Sequence, residues 1–115
     1  MVAKGPDRGA QLLKGVLDMC LLAVIGEQPS YGYEMVRKLS NRGLELVSEG
    51  TIYPVLSRLQ KSGLVEGYLV ESPAGPARKY YRISTKGRKA LDDWSGDWKK
   101  LAVAVEGVLE GATGE

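Results

Sequence analysis

The sequence predicts an α+β fold, mostly α: three helices, a two-stranded hairpin and one long final helix. Three observations predict it. Apolar residues recur at helical spacing in the stretches beginning at Leu13, Gly32 and Ile52. Two runs of tyrosine and β-branched residues then flank a Pro/Gly-rich segment between Leu64 and Ile83. A heptad-type seam follows, from Leu91 to Val108.

The first helix is read over AQLLKGVLDMCLLAVIG. Leu13, Val16, Leu17, Cys20, Leu21 and Val24 form one stripe, and Leu12, Leu22 and Ile25 widen it. A helix apolar over so much of its circumference is buried on more than one side, the second by another chain in a domain this small. Gly26 and Pro29 stop it, and Ser30 is the expected N-cap of the next helix. That helix, YGYEMVRKLSNRG, turns Gly32, Met35, Val36 and Leu39 inward and ends at Asn41 to Gly43.

The third helix carries Ile52, Val55, Leu56 and Leu59 on its inner face. Pro54 lacks an N–H and is expected in the first turn, which makes Thr51 the N-cap and Ser48 the alternative. Gly63 is the expected left-handed stop. The opposite face presents Tyr53, Pro54, Ser57, Arg58 and Lys61, with Thr51 at its start. It holds donors, an aromatic ring, two cations and no acid.

Strands are expected over Leu64–Val70 and Tyr80–Ile83, joined by a tip of about six residues at Ser72–Ala77. Arg78 and Lys79 then stand where the hairpin leaves its tip. From Ser72 to Lys89 there are six basic residues and no acidic one. In the final helix Leu91, Trp94, Trp98, Leu101, Val105 and Val108 are spaced 3, 4, 3, 4 and 3 apart. That seam needs a partner beyond a head of this size.

The chain of 115 residues fits one domain, with 43% hydrophobic and 26% charged residues. Residues 1–9 are expected to be a flexible arm, 10–84 the folded head, 85–111 the long helix and 112–115 a frayed tail. No apolar run reaches the length of a membrane span, and the first residues do not read as a signal peptide. A single cysteine, Cys20, excludes an intrachain disulfide and suits the cytoplasm. No histidine is present, so Ser-His-Asp, Cys-His and Cys/His zinc chemistry are excluded and no cofactor or metal is expected. Net charge is +2 overall, but +4 over Leu64–Leu91 and −4 over Asp92–Glu115. A basic middle suits a polyanion.

Three helices followed by a basic hairpin describe a winged helix-turn-helix, whose third helix enters the DNA major groove with its N-terminal part. The segments YGYEM, EGTIYPVLSRLQKSGLVE and ARKYYRISTKGRKAL, followed by the long last helix, resemble the PadR-like family of bacterial transcriptional regulators, in its compact subgroup with a single dimerisation helix. The resemblance covers about Leu13 to Leu109. It implies a homodimer that represses from an inverted-repeat operator on double-stranded DNA and answers to a small effector. By position it implies that Tyr31 meets a phosphate and that Thr51, Tyr53 and Pro54 face the major groove, and Ser48 is expected among the DNA-binding residues with them. Ser57, Arg58 and Lys61 would lie behind them, and Arg78 and Lys79 would touch backbone or minor groove. Some members hold flat aromatic compounds between paired tryptophans, and Trp98 matches that position. Leu17, Leu91, Trp94, Trp98, Leu101 and Val105 are therefore the expected effector-pocket and dimer residues.

Two other classes compete with a DNA-binding repressor. A winged-helix module for protein contacts would bind DNA weakly and without a steep salt dependence. An enzyme would need a catalytic constellation, and no phosphate loop or convergent acid pair is visible.

Overall fold

The computed structural model describes residues 8–113. Five helices and a small sheet occur in the order α1 (Arg8–Lys14), α2 (Leu17–Glu27), β1 (Ser30–Tyr31), α3 (Gly32–Asn41), α4 (Glu49–Lys61), β2 (Val65–Ser72), β3 (Gly75–Ile83) and α5 (Thr85–Ala112). The arm read over residues 1–9 lies outside the described residues up to Asp7, while Arg8 and Gly9 open α1. Of the tail, Ala112 closes α5, Thr113 caps it, and the last two residues lie outside the described part.

The first helix is two helices, bent by 62°. Gly15 N–H donates to Leu12 at 3.3 Å and Val16 N–H to Leu13 at 3.0 Å, which tightens the chain for one turn before α2 begins. The bend sends Leu17, Leu21, Leu22, Val24 and Ile25 into the core and leaves Leu12 63% exposed.

α3 and α4 bury the expected stripes. Met35, Ile52 and Leu56 are fully buried, and Leu39, Val55 and Leu59 nearly so. Both helices close on glycines with positive φ, 102° at Gly43 and 76° at Gly63. At α4 the Gly63 N–H donates to Gln60 and the Leu64 N–H to Leu59, a Schellman closure that only a left-handed residue permits cheaply. A paired Arg42–Glu27 bridge, with bonds of 2.6 and 2.8 Å, ties the end of α3 to the end of α2.

The caps differ from expectation. Ser30 is buried in β1, where its hydroxyl donates to the Gln28 carbonyl and accepts from Lys38 Nζ, each at 3.1 Å. Tyr31 takes the cap position, and Glu34 turns back to accept from its N–H at 3.2 Å. α4 is capped by Ser48, the alternative to Thr51, because the Thr51 hydroxyl turns back to accept from the Ser48 N–H at 3.0 Å. Pro54 consequently sits in the second turn, not the first. It has no N–H for the carbonyl of Gly50, and the exposure of Gly50 leaves that carbonyl to water.

The sheet has three strands, ordered β1-β3-β2, all antiparallel. Its third strand is the two residues Ser30 and Tyr31, paired with Tyr81 and Tyr80. The hairpin is longer and its tip shorter than expected. Ser72 pairs with Gly75, leaving only Pro73 and Ala74 at the turn, with an irregularity between Val70 and Ser72. Tyr81 and Val65 face the core, while Tyr31, Tyr68 and Tyr80 share the outer face.

α5 is capped by Ser84, whose Oγ accepts from Gly87 N–H at 3.0 Å. The same hydroxyl lies 2.6 Å from the Gly63 carbonyl and 3.0 Å from that of Leu64. Lys86 Nζ donates to the Ser62 carbonyl at 2.8 Å. A side chain at Gly87 would collide with the Leu64 carbonyl, so a glycine is what lets α5 pass so close. The start of α5 is thus clipped to the exit of α4.

Candidate nucleic-acid interface

The outer face of α4 is open, with Tyr53 alone of its residues reaching back, its hydroxyl end over Gly32 of α3. Ser48, Thr51, Tyr53, Pro54, Ser57, Arg58 and Lys61 are all exposed, opposite the buried row Ile52, Val55, Leu56 and Leu59. The helix is therefore fixed from behind and open in front. One acid joins this face, against expectation. Glu49 opens α4, and its carboxylate accepts from the Tyr53 hydroxyl at 3.0 Å. Burial, then that hydrogen bond and the Glu49 charge, push the Tyr53 phenol up from its ordinary value, so it remains a donor. Glu49 offsets the attraction of the α4 N-terminus for an anion.

The two wing cations do not stand at the tip. Arg78 pairs across the hairpin with Val70 and Lys79 with Leu69. Being consecutive on a strand, they point to opposite faces. Lys79 lies over Gly67 on the side facing α4, with Nζ 5.4 Å from the Tyr81 ring centre. Arg78 lies on the outer face, its guanidinium 4.7 Å from the ring centre of Tyr31. Tyr31 itself is half-buried between Arg78 and Tyr80, whose ring centre is 5.2 Å away.

The residues expected at an effector site divide. Trp94, Trp98 and Leu101 line a cleft of about 440 Å³ with Leu12, Gly15, Val16, Asp18, Met19 and Asp97. A second cleft, of about 360 Å³, shares Leu12, Val16 and Trp98 and extends toward Leu44 and Leu46. Leu17 and Leu91 line neither. Leu17 is 6% exposed in the core, and Leu91 packs against that core beside Gly26, because the bend before α2 turns this face inward. Val105 lies beyond the clefts and is exposed, as are Leu101 and Val108. Sequence reading missed the contribution of α1, because an unbroken helix would have carried Leu12 away from Trp98. Cys20 is half-buried beside Asp18, and burial first, then that charge, pushes its thiol up, which suppresses thiolate.

Comparison with known proteins identifies the family and the fold. Residues 21–93 match the model of the transcriptional regulator PadR-like family. A transcriptional regulator of Mycobacterium tuberculosis is 38% identical over 79 residues, 67% of this chain and 70% of its own. The crystal structure of a PadR-like transcriptional regulator from Bacillus cereus is 45% identical, with a TM-score of 0.77 over 86% of this chain and 96% of the other. That of a PadR family regulator from Eggerthella lenta is 31% identical, with a TM-score of 0.79 over 88% of each chain. These relatives are regulators rather than enzymes, and their shared fold is the winged helix with a long last helix. The chain belongs to the PadR-like family of transcriptional regulators.

Proposed function

We propose that the protein is a homodimeric repressor that binds an inverted-repeat operator and is controlled by a flat aromatic effector. The observation that carries this reading is the division of α4 into a fully buried apolar face and a fully exposed polar face. The N-terminal half of α4 enters the major groove, with Thr51, Tyr53 and Pro54 against the bases and sugars. Arg58 and Lys61 follow, each able to meet a phosphate, and Arg58 also able to reach a guanine edge. Lys79 reaches backbone from the wing.

The second copy covers α5. Trp98 is 45% exposed, Leu101 58% and Val105 45%, all on the seam side of one helix. Two copies joined there bring their indoles together, and a planar ring between them stacks favourably. Asp18 and Asp97 in the same cleft favour an effector that carries positive charge. Effector binding then alters the angle between two heads whose α4 helices must meet half-sites about 34 Å apart.

The test is selection of random duplexes by the purified protein, followed by titration of the enriched sequence against salt. An inverted repeat with half-sites about one turn apart supports the dimeric repressor. A folded dimer that enriches nothing, with or without planar aromatic cations, sinks it. Quenching of Trp98 emission by such cations, lost in Asp97→Asn with Asp18→Asn, tests the effector separately.

A further inference from the structure

Tyr33 and Arg37 lie one turn apart on the exposed side of α3, and neither belongs to α4 or to the wing. Arg37 donates to the Tyr33 hydroxyl at 3.1 Å, with its guanidinium 5.8 Å from that ring's centre. Tyr33 is stacked on Tyr31, at 6.5 Å between ring centres and 24° between planes. Tyr31 in turn carries Arg78 on its ring at 4.7 Å. Two arginines thus close the ends of one pair of tyrosines. None of the four makes an ion pair with a carboxylate among the described residues, unlike Arg42 and Arg82, which are bridged to Glu27 and Glu66.

This group is continuous with α4. A Cβ at Gly32, between the two tyrosines, would stand 2.5 Å from the Tyr53 hydroxyl oxygen. The Tyr53 ring therefore lies directly over Gly32, and the absence of a side chain there is what joins the α4 face to the Tyr31–Tyr33 pair. The surface runs from Tyr53 across Gly32 to Tyr31 and Tyr33, with Arg78 at one end and Arg37 at the other.

We infer that Arg37, Tyr33, Tyr31 and Arg78 form a phosphate clamp, which grips the sugar–phosphate backbone beside the groove that α4 enters. The inference rests on the DNA-binding reading above and adds a second contact region to it. The chemistry is specific to a phosphodiester. Guanidinium planes resting on rings lose little further freedom on binding and keep their N–H edges outward for anionic oxygens. The phenol hydroxyls supply neutral donors between them. Of the two places open to Arg78, backbone and minor groove, the clamp assigns it to the backbone. A strand residue stacked on the cap of α3 is held four residues past Ala74 of the turn and is not free to enter a groove.

Backbone contacts carry no sequence information, and each neutralised phosphate adds to the salt dependence. The experiment compares the full-length protein with Arg37→Ala, Arg78→Ala and the double variant, on the selected operator and on a scrambled duplex of equal length. The expected result for each single variant is a loss of roughly tenfold on both duplexes alike. The slope of log affinity against log salt should become shallower by about 0.9 for each arginine removed. Operators carrying one methylphosphonate at each position in turn should lose affinity for the wild type at the flanking phosphates, and not for the double variant. Both arginines are exposed, so thermal melting of the variants should match the wild type, and a variant that melts earlier is replaced by Arg37→Gln or Arg78→Gln. Unchanged slopes and affinities with a wild type that binds DNA would overturn the clamp and leave the α4 reading intact. A loss confined to the operator would also overturn it, by making the arginines base readers. A wild type that binds neither duplex removes both readings.

Discussion

The head and the distal part of α5 use the same apolar alphabet and come to opposite ends. In the head, Leu21, Leu22, Met35, Ile52 and Leu56 are completely buried, and the core they form closes on itself with Val47, Leu64, Val65 and Tyr81. In α5, 28 residues long, Gly87 is the one buried residue among those described, and it is buried because it has no side chain. Leu91 and Trp94 reach the head core and Trp98 and Leu101 border the open cleft beside α1, but from Val105 onward the seam faces open space. Periodicity identifies which side of a helix is apolar. It does not say what covers that side, because the same stripe serves a core within the chain and an interface between chains.

The two regions should therefore respond differently to mutation. Leu56→Ala removes a fully buried side chain from the back of α4 and should cost about 2–5 kcal/mol at every protein concentration, read by chemical denaturation. Leu101→Asp places a charge on the seam. It should weaken self-association at least a hundredfold by sedimentation, while melting of the variant becomes independent of concentration. If the wild type melts independently of concentration too, the seam is not covered by a second copy.

Gly63→Ala puts a side chain at a φ of 76° and should cost about 1–2 kcal/mol, a backbone effect within the head alone. The smallest effect concerns the Glu27–Arg42 bridge. The hydrogen bond from Arg42 holds the Glu27 carboxyl below its ordinary value, so its contribution is present above the usual carboxylate range and fades as pH falls through the lowered value. Both groups are exposed, so Glu27→Gln should melt slightly earlier than the wild type at neutral pH and together with it in acid.

Much of this arrangement was legible from residue order. The inner faces of α3 and α4, the stop at Gly63 and the start of α5 at Thr85 follow from spacing and from residues with one conformational use. The break at Gly15–Val16 did not show, because the stripe continues through it without a change of phase. β1 did not show because two residues have no period. Its strand character comes from the pairing of Ser30 with Tyr81 and Tyr31 with Tyr80, far away in the chain. The cap of α4 turned on one hydroxyl, that of Thr51, choosing the Ser48 N–H over its own helix. Once the hairpin tip shrank to Pro73 and Ala74, the register moved Arg78 down the strand and onto Tyr31. A cross-strand neighbour cannot be named until the turn is known.

The clip between α4 and α5 makes the pair a lever with its fulcrum at one end. Ser84 and Lys86 hold the carbonyls of Ser62, Gly63 and Leu64, just past the C-terminus of α4. Thr51, Tyr53 and Pro54 sit at the far end, where ten residues of helix amount to about 15 Å. Because α4 is packed into the core from behind, it moves with the head, and a rotation of the whole head by about 10° about that fulcrum swings that end by about 2.6 Å, most of the 3.4 Å that separates successive base pairs on one strand. A small rotation delivered through Ser84 and Lys86 is thus large enough, at the other end of the helix, to carry a side chain from one base pair toward the next.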